Sequence, residues 1–379
     1  MKRISILAFI LCMCFVSVAW GQRPACPTYV NWTEFHTKDM MRWNPCEKVL
    51  NVNNVGSLQK LGSYQTGDWV DSSPAVVNGV VYFGSYDGNV YALNTRTGAL
   101  QWSFAAHGIV YSSPAVANGV VYVGAGYDLY ALDAHTGALL WNYATGQEVD
   151  SSPAVVNGLV YFGSYDDNVY ALNASTGALV WSYRTGREVF SSPAVANGVV
   201  YVGSYDGYVY ALDASTGALL WRYETSYNVE SSPAVANGVV YVGAGYDLYA
   251  LDAHSGALLW SDVPGSRVYS SPAVADGVVY VGSENGNVYA LKASTGAVLW
   301  RYRTGGEVFS SPAVANGVVY VGSLDDNVYA LNARTGALLW SYATGFHVWE
   351  SSPAVANGVV YVGSFDHNLY AFGLTRGQE

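Results

Sequence analysis

The chain has 379 residues, of which 51% are hydrophobic and 15% aromatic, and its formal net charge at pH 7 is −11. It carries 17 lysine and arginine residues against 28 aspartate and glutamate residues. Binding to nucleic acid or to an anionic lipid surface would therefore lack its main driving force, so we exclude both partners.

The chain begins with a pattern typical of a secretory signal peptide. Two basic residues precede the apolar run 4–18, and the small residues Ala19 and Gly21 follow at the positions that a signal peptidase reads. The apolar run is short for a membrane span, and no later stretch is long enough. The two early cysteines do not follow a small residue, which disfavours a lipid anchor. We predict a signal peptide over 1–21, cleavage near Gly21, and a secreted or periplasmic protein without a membrane span.

Two cysteines, Cys26 and Cys46, remain after that cleavage. In an exported chain an isolated pair is most simply a disulfide, here closing a loop of about 20 residues. No histidine pair lies nearby to complete a metal site, so no metal is expected. The segment 22–55 departs from the pattern that follows it but is rich in aromatic and methionine side chains. We predict that it packs as a cap or wrap on the rest of the chain.

From residue 71 onward the chain repeats a pattern of about 40 residues eight times. Every copy contains Ser-Ser-Pro, then a short apolar run, then an Asn-Gly or Asp-Gly turn. The prolines that mark the copies are Pro74, Pro114, Pro153, Pro193, Pro233, Pro272, Pro312 and Pro353. A fixed period of this length is the sequence signature of a repeat architecture.

Within one copy the pattern predicts four strands. The runs 191–196, 199–204, 208–213 and 218–225 are separated by Asn-Gly, Asp-Gly and Thr-Gly, and the first two of these turns are strong hairpin signals. Runs such as Val-Val-Tyr-Val are apolar on both faces, so each sheet must be covered on both faces. Stacking the copies around an axis achieves this. We therefore predict an all-β, eight-bladed β-propeller of four-stranded antiparallel blades.

A tryptophan recurs in seven copies, four residues after the Thr-Gly or Ser-Gly turn. We predict that each ring packs from the fourth strand against the neighbouring blade, which would make blade stacking the main source of stability. The positions are Trp102, Trp141, Trp181, Trp221, Trp260, Trp300 and Trp340.

The run Ala-x-Asp-x-x-Thr-Gly-x-x-x-Trp, seen over 211–221, resembles the tryptophan-docking motif of pyrroloquinoline quinone (PQQ) repeat propellers. That quinoprotein-like family includes quinoprotein alcohol dehydrogenases and the outer-membrane assembly factor BamB. The motif recurs with few departures, such as Lys292 at the aspartate position and Ser255 at the threonine position. Because this packing device is shared by enzymes and non-enzymes, the resemblance implies the fold and leaves the activity open.

The two ends of the repeat region complement each other. Residues 61–67 match the fourth strand of a blade, with Gly62 at the tryptophan position, and the last copy ends at Phe372 before any tryptophan strand. We predict that the N-terminal strand completes the eighth blade and closes one propeller over 56–379. Such closure removes free sheet edges.

The chain lacks features that a quinoprotein dehydrogenase would need. For such an enzyme the resemblance implies PQQ with Ca²⁺, a disulfide between neighbouring cysteines and an aspartate base. The mature chain has no adjacent cysteine pair and no haem motif. Acidic turns such as 166–168 lack the graded oxygen spacing of a calcium loop and are interpreted as hairpin turns. We expect no cofactor and no catalytic residue, with PQQ and Ca²⁺ as the alternative.

The residue just before each Ser-Ser-Pro varies most among the copies. These positions are Asp71, Tyr111, Asp150, Phe190, Glu230, Tyr269, Phe309 and Glu350. In a propeller this loop leads to the inner strand of the next blade, so all eight should surround one mouth of the channel. An acidic, aromatic mouth suits a cationic or hydroxyl-rich ligand, or an aromatic anchor of a protein partner. The other interpretation is that they are exposed loop residues free to vary.

These observations favour a non-catalytic, monomeric scaffold or protein-interaction module exported to the cell envelope. The first alternative is a protein that binds a small ligand, or PQQ itself, at the channel mouth. The second alternative is a PQQ-dependent oxidoreductase.

Overall fold

A computed structural model describes Cys26 and residues 31–35, 41–262 and 265–375. The predicted signal peptide lies outside the described residues. The described chain has one short 3-10 helix, Val55–Ser57, and is otherwise built of strands. No helix in this part of the chain is long and apolar enough to cross a membrane.

Strand β1 is Trp43–Asn44, and the remaining strands form eight four-stranded antiparallel blades. The innermost strands are β3 (Ala75–Val77), β7 (Ala115–Ala117), β11 (Ala154–Val156), β15 (Ala194–Ala196), β19 (Ala234–Ala236), β23 (Ala273–Ala275), β27 (Ala313–Ala315) and β31 (Ala354–Ala356). The second strands are β4 (Val80–Gly84), β8 (Val120–Ala125), β12 (Leu159–Gly163), β16 (Val199–Gly203), β20 (Val239–Ala244), β24 (Val278–Ser283), β28 (Val318–Gly322) and β32 (Val359–Gly363). The third strands are β5 (Asn89–Asn94), β9 (Asp128–Asp133), β13 (Asn168–Asn173), β17 (Tyr208–Asp213), β21 (Asp247–Asp252), β25 (Asn287–Lys292), β29 (Asn327–Asn332) and β33 (Asn368–Gly373). The outer strands are β6 (Leu100–Ala105), β10 (Leu139–Ala144), β14 (Leu179–Arg184), β18 (Leu219–Glu224), β22 (Leu258–Asp262), β26 (Val298–Arg303), β30 (Leu338–Ala343) and β2 (Gln59–Gln65).

The predicted eight-bladed propeller and its closure are confirmed. Each innermost strand contacts the innermost strand of the next blade, and β31 contacts β3, so the ring is complete. The outer strand of the last blade comes from the N-terminal side: β2 pairs antiparallel with β33, from Gln59 opposite Gly373 to Gln65 opposite Asn368. No blade therefore keeps an unpaired third strand.

The innermost strands are shorter than the sequence pattern predicts. In the fourth repeat the pattern starts a strand at Ser191, whereas the strand begins at Ala194. The serines of this run bond to the neighbouring blade, and Pro193 has no N–H to donate to the ladder. The Ser-Ser-Pro run thus joins blades around the axis.

The repeated tryptophans join each blade to the next one. The indole Nε1 of Trp102 donates to the carbonyl of Ala134 at 3.0 Å, and its ring lies on Gly137, where an added Cβ would come within 2.7 Å of the indole. Five further tryptophans repeat this arrangement on the following blades. Trp340 instead donates to the carbonyl of Leu58, just before β2.

The segment before the repeats bonds to the inner strands of several blades. Trp32 pairs with Val76 of the first blade, and the carbonyl of Thr33 accepts from Val116 of the second blade. The carbonyl of Met41 accepts from Val274 of the sixth blade, opposite the second, and β1 pairs in parallel with β27 of the seventh. The side-chain amide of Asn44 donates to the carbonyl of Val355 of the eighth blade at 2.8 Å. The same segment carries the Cys26–Cys46 disulfide that the sequence predicts.

Candidate functional site

One cavity at the mouth of the channel is lined by all eight residues that precede the Ser-Ser-Pro runs. Asp71 is buried and the other seven are half-buried. The lining positions are Asp71, Tyr111, Asp150, Phe190, Glu230, Tyr269, Phe309 and Glu350. The cavity measures about 50 Å³, which is room for a few water molecules, because one needs about 10–15 Å³.

A buried valine fixes each of these loops to the preceding blade. Val110, just before Tyr111, packs against Gly84, where an added Cβ would lie 2.3 Å from the valine Cγ1. Any side chain at this glycine would collide with the loop. The same valine and glycine recur in all eight copies, so each following residue is held at the same height on the axis.

Two closed rings of serine hydrogen bonds set the spacing of the mouth. The first serine of each run donates its hydroxyl to the carbonyl of its counterpart in the next blade, from Ser72 to Ser112 (3.0 Å) and finally from Ser351 back to Ser72 (3.2 Å). In the second ring, the N–H of each second serine donates to the hydroxyl of the next one. Every hydrogen bond points the same way around the axis.

Asp71 and Glu350 meet where the ring closes. Oδ1 of Asp71 accepts from the backbone N–H groups of Glu350 (2.8 Å) and Ser351 (3.2 Å). Its Oδ2 is buried and has no hydrogen-bond partner among the described residues. Burial raises the pKa of Asp71 to about 7, although the two N–H groups lower it. Burial, and then the nearby Asp71 carboxylate, raise the pKa of Glu350 to about 8. The pair therefore favours a protonated form at neutral pH.

The other two carboxylates of the mouth are also disfavoured as anions. Burial raises the pKa of Asp150 to about 6 despite a hydrogen bond from Tyr165. Burial raises the pKa of Glu230 as well, and the charge of Arg267 partly opposes the rise. Among the described residues that line the 50 Å³ cavity, none is lysine, arginine or histidine. The mouth thus carries one buried and three half-buried carboxyl residues, and no basic side chain stands among the residues that line it.

The N-terminal segment fills the channel beyond the mouth. Phe35 lines the cavity from within, and the fully buried Arg42 lies 4.4 Å from the centre of the Phe35 ring. The guanidinium donates to the carbonyls of Pro312 (3.0 Å), Ser311 (3.3 Å) and Pro353 (3.4 Å). Burial lowers the pKa of Arg42 to about 9. Phe35 and Arg42 therefore lie directly beneath the mouth.

Two clefts adjoin the mouth where the turn after the second strand is one residue shorter, in the second and fifth repeats. The larger cleft, about 640 Å³, shares Tyr111 and Asp150 with the mouth and is further lined by Tyr86, Tyr127, Tyr165, Asp128, Glu148 and His107. The smaller cleft, about 180 Å³, shares Glu230 and Tyr269 and includes Arg267. Both extend the acidic and aromatic character of the mouth.

Sequence reasoning missed a second set of aromatic residues beside the mouth, which occurs in some of the blades. Tyr86 lies 6.1 Å from Tyr111 between ring centres, and Phe190 lies 6.3 Å from Tyr165 and 6.4 Å from Tyr205. These tyrosines follow the Gly-Ser that ends a second strand. Because that loop lies at the same end of a blade as the loop before the inner strand, the strand order alone could have placed them at the mouth.

The acidic turns prove to be fully engaged in the fold. Oδ2 of Asp87 accepts from the N–H of Gly67 (2.7 Å) and from the hydroxyl of Tyr91 (2.6 Å), and four other turn aspartates repeat this. No cluster of three or more histidine, cysteine, aspartate or glutamate side chains that could hold a metal occurs in the described part of the chain.

The central cavity at the mouth does not fit PQQ, because about 50 Å³ is too small for a fused tricyclic molecule. The 640 Å³ cleft is large enough, and it presents the carboxyl groups of Asp128, Glu148 and Asp150. Without a bound cation these groups would repel the three carboxylates of PQQ. The chain also lacks the adjacent cysteine pair that the resemblance implies.

Several solved structures resemble this chain in fold. BamB from Moraxella catarrhalis aligns with a TM-score of 0.73 and 21% identity, covering 84% of this chain and 100% of that chain. A europium-containing methanol dehydrogenase aligns with a TM-score of 0.80 and 16% identity over 91% and 98%. The computationally designed Ika8 protein aligns with a TM-score of 0.75 and 21% identity over 83% and 100%. At such identities the likeness shows the fold alone.

Sequence comparison identifies the family. No curated protein matches the chain. The family model described as outer membrane protein assembly factor BamB matches residues 42–183, 127–268 and 246–379, which together cover all eight blades. The chain therefore belongs to this BamB family of PQQ-repeat propellers.

Proposed function

We propose that this protein is an exported, non-catalytic interaction module of the cell envelope, and that its channel mouth receives a lysine side chain of a partner protein. Membership of a family named for an assembly factor, and a sequence that begins like a signal peptide, support the setting. The proposal for the mouth rests on one observation, which is that four carboxyl groups, one buried and three half-buried, surround a 50 Å³ cavity that no basic side chain lines.

The size and chemistry of the cavity favour a primary ammonium group. A cavity that holds a few waters accommodates the end of a lysine side chain, whereas a sugar or a fused ring system is too large. The unpartnered Oδ2 of Asp71 would gain a hydrogen-bond donor. The aromatic rings of Tyr111, Phe190, Tyr269 and Phe309 would pack against the methylene stem and face the charge.

Binding of a cation should depend on pH. The pKa values of Asp71 and Glu350 are raised to about 7 and about 8, so the pair retains bound protons in the free protein at neutral pH. A bound ammonium favours the ionised carboxylates, so binding releases protons. Affinity should therefore increase from pH 6 to pH 8.5.

A lysine analogue tests the site directly. Nα-acetyl-lysine methylamide should bind the wild-type protein, as measured by NMR titration, whereas the norleucine analogue should not. The double variant Asp150→Asn and Glu230→Gln should weaken binding at least about tenfold, because two charge-assisted contacts are lost. The control Tyr127→Ala changes only the 640 Å³ cleft and should leave lysine binding unchanged. Equal binding of lysine and norleucine analogues would refute the proposal.

The partner can be sought in the native cell. A photoreactive phenylalanine analogue at Phe309 should cross-link to a peptide that contains lysine, and the cross-link should disappear in the Asp150→Asn, Glu230→Gln background. Cross-linked peptides without lysine would contradict the assignment.

A small cationic, aromatic ligand is the second candidate function, because the 640 Å³ cleft has a volume typical of ligand sites and combines tyrosines with Asp128, Glu148 and Asp150. In that case Tyr127→Ala would abolish binding of the native ligand, and the lysine analogue would bind neither the wild-type protein nor this variant.

A further inference from the structure

Six tryptophans of this propeller occupy one type of slot between neighbouring blades. Each indole stacks at a tilt on a tyrosine of its own blade, with ring centres 5.8–5.9 Å apart. It covers the glycine of the next Thr-Gly or Ser-Gly turn, and its Nε1 donates to a carbonyl of the next blade at 2.9–3.1 Å. The slot thus has a stacking wall, a flat floor and a hydrogen-bond acceptor.

The seam between the eighth and first blades has the same slot without a tryptophan. Gly62 stands at the tryptophan position of the outer strand, after the same bulge in the pairing that precedes Trp141 in β10. The tyrosine wall is Tyr361, and the floor is Gly98 at φ +68°. An added Cβ at Gly62 or at Gly98 would meet no atom within 4 Å.

The vacant space is large enough for an indole and open to solvent. It measures about 270 Å³ and is lined by apolar side chains that include Val81, Leu93 and Leu369. A cavity of about 150 Å³ with apolar walls can already bind benzene. Gly98 is exposed, whereas the equivalent Gly137 is covered by Trp102 and buried. Thr95 also lines this space and is equivalent to Ala134, whose carbonyl accepts from Trp102, because the N–H of Thr95 bonds to Gly79 as that of Ala134 bonds to Gly119.

We propose that this seam is a second binding site, which takes a tryptophan side chain presented by a partner chain. The six filled slots define the ligand, because each shows which group the same walls accept and which of its atoms is bonded. The seam is separate from the channel mouth: the residues lining the two cavities do not overlap. The proposal therefore stands without the assignment of the mouth.

The test uses the full chain and a tryptophan mimic. N-acetyl-5-fluorotryptophan amide, followed by fluorine NMR of the ligand, should bind the wild-type protein with a dissociation constant of about 1 mM or tighter. The 1-methylindole analogue, which cannot donate from the ring nitrogen, should bind about fivefold more weakly.

Two substitutions at one position separate the slot from the rest of the surface. Gly62→Trp should fill the slot with the protein's own indole, abolish binding and raise the melting temperature. Gly62→Ala adds a methyl group where space is free and should keep the binding. Gly62→Leu blocks the same slot and serves if Gly62→Trp does not fold. Undiminished binding by the blocked variant, or no binding to the wild-type chain at about 10 mM ligand, would overturn the proposal.

Discussion

The carboxyl pair at the ring closure predicts an unusual pH dependence of stability. The pKa of Asp71 is raised from its ordinary value near 4 to about 7, so the folded chain disfavours the ionised form. At pH values below the pKa of this group in the unfolded chain, the carboxyl is protonated in both the folded and the unfolded state, and it does not change the free energy of unfolding. As pH rises from 4 to 7 the unfolded state gains stability by ionising, and above about 7 the cost is constant. Stability should therefore decrease with rising pH in this window.

The substitution Asp71→Asn removes this titration, and it also relieves the part of the rise in the Glu350 pKa that the Asp71 charge causes, which acts in the same direction. The amide oxygen can still accept from the N–H groups of Glu350 and Ser351, while the titration is removed. With one pKa unit worth about 1.4 kcal/mol, a rise from about 4 to about 7 costs the wild-type chain about 1.5 kcal/mol at pH 5 and about 4 kcal/mol at pH 8. The variant should thus gain about 2 to 3 kcal/mol relative to the wild type between these two pH values.

The measurement is the free energy of unfolding in urea at pH 5 and pH 8. Glu224→Gln, which removes an exposed carboxylate on an outer strand, is the matched control and should show the same difference from wild type at both pH values. If the free energy of unfolding of Asp71→Asn also differed from that of the wild type by the same amount at pH 5 and pH 8, the Asp71 carboxyl of the folded wild-type chain would be ionised at both pH values. The pKa of this group would then not be raised, and the reasoning would be wrong.

Two further predictions concern the joints between blades. Deleting residues 56–67 removes β2 and the Leu58 carbonyl that accepts from Trp340. The deletion should cause aggregation, or a larger fall in melting temperature than the double variant Cys26→Ser, Cys46→Ser shows. A monomer with unchanged melting temperature would contradict closure by β2. Trp181→Phe, which loses the hydrogen bond to Ala214, should cost about 1–2 kcal/mol, and Trp181→Ala about 3–5 kcal/mol, in urea unfolding. A cost near zero for Trp181→Phe would show that the indole N–H contributes nothing, and equal costs for the two variants would contradict the packing role of the ring.

The architecture could be predicted because its signals are local and repeated. The turn dipeptides, the period and the incomplete copies at the two ends predict eight blades and their closure, and β2 pairs with β33 as expected. The sequence pattern predicts the start of each inner strand about three residues too early, because the Ser-Ser-Pro run stands next to apolar residues typical of a strand. Its hydrogen bonds run between blades, which a pattern within one copy does not express.

The mouth was predictable in position but not in chemistry. Strand order brings the residues before Ser-Ser-Pro together, yet nothing in the pattern indicates that Asp71 would be buried beside Glu350, since they are far apart in the sequence. Arg42 is similar, because it bonds to carbonyls about 270 and 311 residues away. A single contact between residues so far apart in the sequence does not recur with the repeat period, so the repeat pattern does not predict it.

The contacts of the N-terminal segment with the inner strands have a consequence for how such a chain can evolve. A gene made of near-identical units can gain or lose whole units by recombination, and a ring with another number of blades would have another inner radius. The stretch from Trp32 to Asn44 has a fixed length, and it bonds to the inner strands of blades one and two at its start and of blades six, seven and eight at its end. In a ring with another number of blades this stretch would lose some of these hydrogen bonds, so it should favour sequences that keep eight repeats.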